Sequence, residues 1–402
     1  MAASRVILQS DFNSALRDKD GKAWISYKCQ GKDSIHSYLK TTELSESRIP
    51  YVSSSDGFSV QSVSERRIDI NFENDGESLR RTFIAPAMTF SSIHKERKSV
   101  HCMDVTLGGL GVSSDSEGRL KVWESGSGDV RRDLEGHFGD VYTCQFFPSG
   151  IVILTGGADM QLKIWSAETG QCAATLRGHK AGILETAIVD RGRNIVSCAR
   201  DGTSRLWDCS TQQCLVTVET EGGNVNCCTL QATPPDYDLG TQSHTPGEQE
   251  VGTAGKLLLL GCERGYLQGY GLQTRQKVFE LDCHDAVNCC RFVSETCVAC
   301  GTQDGHITIT DIRNIRMPLR EWKETRNAIL SILPYKGGFF TSTGDGSCFY
   351  VDQSQETVLE LCGADCDPVY RAVSDGAAVY TACRDGLIRK YQSADIDQCL
   401  QL

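Results

Sequence analysis

One phrase occurs twice between Glu135 and Asp208, and its spacing limits the folds open to the chain. Gly136-His137 leads to Asp159 and then Trp165; Gly178-His179 leads to Asp201 and then Trp207-Asp208. The step from His to Asp is 22 residues both times, the step from Asp to Trp is 6, and the phrase returns after 42. A fixed period near forty belongs to repeat architectures, in which each unit buries its apolar faces only against its neighbours. A weaker copy precedes the pair, with His94, Glu117-Gly118 and Trp123. After Trp207 the wording decays but the rhythm persists: Arg264-Gly265 then Tyr270, Asp304-Gly305 then Thr310, Asp345-Gly346 then Val351, Asp385-Gly386 then Tyr391. With turn anchors at 117, 159, 201, 264, 304, 345 and 385, the steps are 42, 42, 63, 40, 41 and 40. The sequence therefore predicts seven units, one of them carrying an insertion of about 22 residues.

Inside a unit, an apolar β-branched run such as residues 151–154 or 194–197 reaches a tight turn at the Asp. A second run, residues 161–165 or 204–207, follows with period-two alternation. That is a β-hairpin with a buried face. The Gly-His…Trp-Asp pattern resembles the WD40 family, whose unit is one four-stranded propeller blade. The resemblance implies a hydrogen-bonded set within each blade, here His137, Thr155, Asp159 and Trp165, and again His179, Ser197, Asp201 and Trp207. An Asp–His pair that recurs once per blade reads as architecture rather than catalysis. The expected fold is all-β: a seven-bladed propeller over residues 83–402, preceded by a small N-terminal α+β or β domain over residues 1–82.

That N-terminal part lacks the repeat. Ser10-Asp11 can cap a short helix carrying Phe12, Ala15 and Leu16, and Gly21 would end it. Residues 24–27, 57–60 and 67–72 alternate like strands. The last unit ends shortly after Tyr391, so residues 83–90, apolar despite Pro86, are the candidate strand that closes the ring from the other terminus. The insertion, residues 231–255, is poor in large apolar residues and reads as a solvated loop.

Of the 402 residues, 52 are acidic and 41 basic, and the net charge of −11 disfavours nucleic acid, whose affinity comes from phosphate neutralisation. It suits a basic protein surface instead. No apolar run is long enough for a membrane span, and residues 1–10 show no secretory pattern. Twenty cysteines, several adjacent as in Cys227-Cys228 and Cys289-Cys290, read as small buried hydrophobes in a reducing compartment. The lone C-x-x-C, Cys297 to Cys300, has no second pair at zinc spacing, so no metal is expected. Phosphate-binding loops, nucleophile elbows and HExxH pairs are missing. The chain is expected to be a binding platform, not an enzyme, with no cofactor.

Four segments carry a narrower resemblance: residues 154–168, 182–194, 344–349, and above all Gly363-Ala364-Asp365-Cys366-Asp367-Pro368-Val369-Tyr370. They are similar to the proteasomal ATPase-associated factor family, nearly end to end. That resemblance implies a chaperone for assembly of the base of the proteasome 19S regulatory particle. Such a chaperone binds AAA ATPase subunits through their C-terminal domains and restrains premature association with the 20S core. It further implies a cytoplasmic protein, with a nuclear pool also compatible, that is a monomer when free. The competing expectation is a general WD40 interaction adaptor, such as a ubiquitin-ligase substrate receptor or a signalling scaffold. On a WD40-like propeller, the loops entering each blade and the signature turns form one rim. There lie Asp140, Glu219, Glu221, Asp282, Asp285, Asp365 and Asp367, interrupted by Arg200, Arg264 and Arg384. Each carboxylate alone can simply solvate a turn; together they outline an acidic contact surface.

Overall fold

The computed structural model describes every residue except 1–3, 30, 75, 95–97, 242–245, 324–326, 353, 355–356 and 401–402. Seven four-stranded antiparallel units follow one another around a central axis. Blade 1 is Val100–Val105, Leu110–Asp115, Leu120–Glu124 and Val130–Leu134; blade 2 is Val141–Phe146, Val152–Gly157, Gln161–Ser166 and Cys172–Arg177. The inner strands of blades 3 to 7 begin at Ile183, Val225, Val287, Ile329 and Val369, and the inner strand of blade 7 neighbours that of blade 1, so the ring closes.

Each blade is packed on both faces, which explains why its middle strands read as continuous apolar runs rather than strict alternation. Asn194–Ala199 and Ala378–Cys383 are buried at every position. The same geometry accounts for the adjacent cysteines: Cys227 and Cys228 point to opposite sides of one strand, and both sides are core. All twenty cysteines are free thiols. Burial pushes the thiols of Cys209, Cys262 and Cys383 up to about 12.

The region before the propeller is a seven-stranded, two-sheet unit. β1 (Ser4–Leu8), β2 (Lys22–Cys29), β3 (Ile35–Leu44) and β4 (Pro50–Ser53) form one sheet; β5 (Phe58–Val63), β6 (Arg67–Asn74) and β7 (Glu77–Ile84) form the other. Val6, Ile25, Leu39, Ile70 and Phe72 fill the space between them, with Phe12 of the short helix α1 (Phe12–Ala15) and Leu16 just after it closing one end. Asp11 precedes α1 without a side-chain cap.

The expected closing strand divides in two. Only β8 (Met88–Phe90) pairs with the outer free strand of blade 7, with Thr89 opposite Arg389. Phe83 and Ile84 belong to β7, which runs parallel to the outer strand of blade 6, Thr82 opposite Leu359. Pro86 lies at the change of partner, where it has no ladder hydrogen bond to donate. The boundary at residue 82 thus falls inside a strand: the N-terminal sheet is an extension of blade 6, and it covers an edge that would otherwise be open.

The insertion is also not a freely solvated loop. Gln231 extends the inner strand of blade 4 to Ala232. Tyr237 packs on the blade 4–5 core and donates to the Ile312 carbonyl at 3.3 Å, while Val251 N–H donates to Asn194 Oδ1 at 2.6 Å. Glu250, nearly buried, pairs with Arg275 at 2.9 Å. Residues 242–245 of the insertion lie outside the described residues.

Candidate functional site: the rim and the channel

Each signature blade is held by one polar chain. In blade 2, His137 contacts Asp159 Oδ2 through Nδ1 at 2.9 Å and Thr155 Oγ1 through Nε2 at 2.7 Å, and Trp165 Nε1–H donates to the same Thr155 hydroxyl at 2.8 Å. Blade 3 repeats this with His179, Asp201, Ser197 and Trp207 at 2.9, 2.7 and 2.8 Å. Burial works to raise Asp159 and Asp201, but hydrogen bonds from His and from turn N–H groups outweigh it, and both carboxyls titrate below their usual range. His179 is pushed down by burial against the opposing pull of Asp201. Asp201 borders an open depression with Arg200, Glu221 and Arg264, but its carboxylate is taken up by His179 and the N–H groups of Lys180 and Thr203, which fix the turn.

Blade 1 carries the same chain with one substitution of position. His94 meets Asp115 at 3.3 Å and Ser113 at 2.7 Å, and Trp123 donates to Ser113 at 3.0 Å. Glu117, which occupies the anchor position by spacing, instead pairs with Lys98 and Arg119 at 2.9 and 2.6 Å. Asp115 stands two residues earlier, at the strand end, and period two keeps it on the same face. In blades 4 and 7 the Trp position holds Tyr270 and Tyr391, and Tyr391 donates to the Cys362 carbonyl at 2.5 Å.

The rim carboxylates are distributed rather than clustered. Asp140 enters blade 2; Glu219 ends the outer strand of blade 3 and Glu221 follows it; Asp282 ends the outer strand of blade 4, with Asp285 beyond; Asp365 and Asp367 lie between blades 6 and 7. Glu219, Glu221, Asp282 and Asp365 are exposed, and Asp140, Asp285 and Asp367 half-buried. Asp282 and Asp285 accept backbone N–H groups of His284 and Ala286 at 2.9 and 2.8 Å. Among the described residues only Asp367 of the seven forms an ion pair, a long one of 3.9 Å with Arg384. The interrupting cations are partly occupied: Arg264 donates to the Glu221 carbonyl at 2.8 Å and Arg200 stacks on Tyr142 at 5.0 Å. Among the described residues, six of the seven rim carboxylates are therefore free of ion pairs.

Two features escaped the sequence reading. Phe138, 79% exposed, stands on this rim beside the signature turn, with its N–H donating to Asp159 at 3.2 Å. Laying one repeat over the other puts Phe138 where Lys180 stands, and that comparison would have found it. The second is the channel. Glu185 of blade 3 accepts from Arg371 of blade 7 at 2.8 Å and from Arg291 of blade 5 at 3.1 Å, and Thr143 of blade 2 donates to it at 3.2 Å. Burial alone would raise Glu185, but the two guanidiniums bring it down to about 2. Asp104 of blade 1 sits nearby with its pKa raised to about 6 by burial, against N–H donation from Phe146 and Val105. Every member of this cluster is committed to a protein partner, which suits a plug rather than an acid–base pair.

A WD-repeat propeller is the class defined by this fold. The WD domain, G-beta repeat family matches residues 128–166, 170–208 and 275–311. The chain is 49% identical over 395 residues to proteasomal ATPase-associated factor 1 of Gallus gallus, covering 98% of this chain and 100% of that one. It is 48% identical to the Homo sapiens protein of the same name with the same coverage. A probable proteasomal ATPase-associated factor 1 of Dictyostelium discoideum is 36% identical over 411 residues, covering 96% of each chain. The chain belongs to the proteasomal ATPase-associated factor 1 family.

Proposed function

We propose that this chain is a chaperone for assembly of the proteasome 19S regulatory particle base. In this reading it binds AAA ATPase subunits by their C-terminal domains and restrains premature association with the 20S core. The observation that carries the reading is similarity spanning both the propeller and the N-terminal unit, to relatives whose name couples them to proteasomal ATPases. The rim supports it: carboxylates without ion-pair partners on a rigid, acidic body suit a basic partner surface, where charge complementarity steers encounter. Phe138 adds an exposed aromatic of the kind that anchors interfaces. The protein acts without catalysis, as a cytoplasmic monomer until it meets its ATPase.

Native pull-down of the tagged protein with mass spectrometry tests this. Recovery of 19S ATPases without 20S subunits is the expected result; recovery of a cullin complex with no proteasome ATPase would replace the reading with that of an adaptor. Calorimetry then tests the rim: Lys at Asp282, Asp285, Asp365 and Asp367 together should weaken ATPase binding while the melting curve stays that of the parent. Unchanged affinity would remove the rim from the contact.

A further inference from the structure

The outward face of the N-terminal sheet has a composition unlike the rest of the molecule. Pairing of β2 with β3 sets Lys22 opposite Lys40, Trp24 opposite Tyr38 and Ser26 opposite His36; β1 adds Arg5 opposite Lys28, and β4 adds Ser53 opposite Lys40. Directly opposed residues share a face, and the alternate residues Ala23, Ile25, Tyr27 and Leu39 enter the core. An aromatic row therefore lies between two cationic rows. Trp24 is 37% exposed, Tyr38 56% and Tyr51, on the same face, 61%. Among the described residues Lys22, Lys28 and Lys40 enter no salt bridge; Arg5 pairs with Asp345 at 2.9 Å. Glu43 shares the face at its far end beside Tyr51, and Asp345, Glu360 and Asp365 of the propeller border the groove beside Trp24 and Lys28.

Two lysines directly opposed on a sheet repel and cost stability. Exposed Trp and Tyr add apolar area to water beside them. Both costs vanish if an anionic, partly apolar ligand covers the face. We propose that it is a docking site for an acidic segment of a partner polypeptide, whose apolar side chains cover Trp24 and Tyr38 while its carboxylates reach Lys22, Lys28 and Lys40. A protein segment fits better than nucleic acid, because Asp365 and Glu360 border the groove alongside Trp24 and the chain carries a net charge of −11. A long polyanion would meet that field; a short acidic segment is neutralised locally. Of the rim carboxylates Asp365 borders this groove; the site does not depend on the assembly reading.

The probe is a short fluorescein-labelled peptide in which glutamates alternate with leucines, titrated into the full-length protein while anisotropy is followed. Saturable binding that weakens with salt, and falls at least about tenfold in a Lys22→Glu/Lys40→Glu variant, is the expected result. The rim variant with Lys at Asp282 and Asp285, neither of which borders the groove, should bind the peptide as the parent does. No saturable binding, equal affinity in the folded double variant, or tighter binding of an oligothymidine than of the peptide would overturn the proposal. If the double variant does not fold, a photoreactive version of the peptide decides on the wild-type chain: crosslinks in β2 and β3 support the site, and crosslinks elsewhere refute it.

Discussion

Thr155 carries more than its size suggests, because one hydroxyl serves both the His137 ring and the Trp165 indole. Thr155→Val keeps the volume and removes both partners, leaving buried polar atoms unpaired, and should cost about 1–3 kcal/mol. Thermal melting checks it, and Thr155→Ser should recover most of the loss. This quartet was legible in the sequence because a fixed turn geometry demands a fixed spacing. The Asp115 variant was not, because a side chain two residues away reaches the same point only once the strand pleat is known. Asp104 was illegible for a different reason: nothing local says that this half-buried carboxyl faces the channel beside Glu185 and Arg371. Its folded pKa of about 6 lies above the ordinary carboxylate value, so the folded state holds the proton more tightly. Its contribution to stability is full below the unfolded value and is lost as pH rises through about 6. Asp104→Asn should therefore gain about 1 kcal/mol relative to the parent between pH 5 and pH 7, measured by urea unfolding at each pH.

The short strand β8 holds the ring shut with three residues and one buried ring. Phe90 is 4% exposed and packs near Trp123 and Tyr380, at the seam between blades 7 and 1. Gly128, at φ +80°, passes so close that a Cβ there would lie 2.4 Å from the Phe90 ring. Phe90→Ala should cost about 3–5 kcal/mol. Hydrogen exchange should locate the loss: amides of Ile388–Gln392 exchange faster, while blade 3 stays protected. Uniform loss of protection would mean the ring opens as one unit. The apolar run announced a closing strand. It could not announce that its first half pairs with blade 6, because the partner, Leu359, lies far along the chain and the pairing leaves no local periodicity. The strands β1, β3 and β4 were missed for a related reason: their outward positions are polar or aromatic, and their turns are ordinary.

Across the whole molecule, seven wedges could meet around an open channel, and here part of it is filled by charge. Glu185 lies 106 residues from Arg291 and 186 from Arg371, yet one carboxylate bridges both. A buried ion pair is weak evidence of net stabilisation, since desolvation offsets much of the attraction, whereas removing one partner strands the others. The carboxyl sits at about 2, below the ordinary carboxylate range, so its contribution is full above the unfolded value and is lost as pH falls through about 2. At neutral pH Glu185→Gln leaves two guanidiniums facing each other and should destabilise by about 3–5 kcal/mol. A double-mutant cycle separates coupling from packing: if the cluster is a structural plug, Glu185→Gln combined with Arg371→Met should lose much less than the sum of the two single changes. Additive losses would mean that the guanidiniums are held by the strand carbonyls, such as that of Cys290 at 2.8 Å from Arg291. The ring would then owe its register to the blades alone. The ATPase contact supplies the second readout. A plug that only sets blade register leaves the rim affinity of the stable double variant unchanged, whereas weakened binding would show that the channel charges reach the docking face.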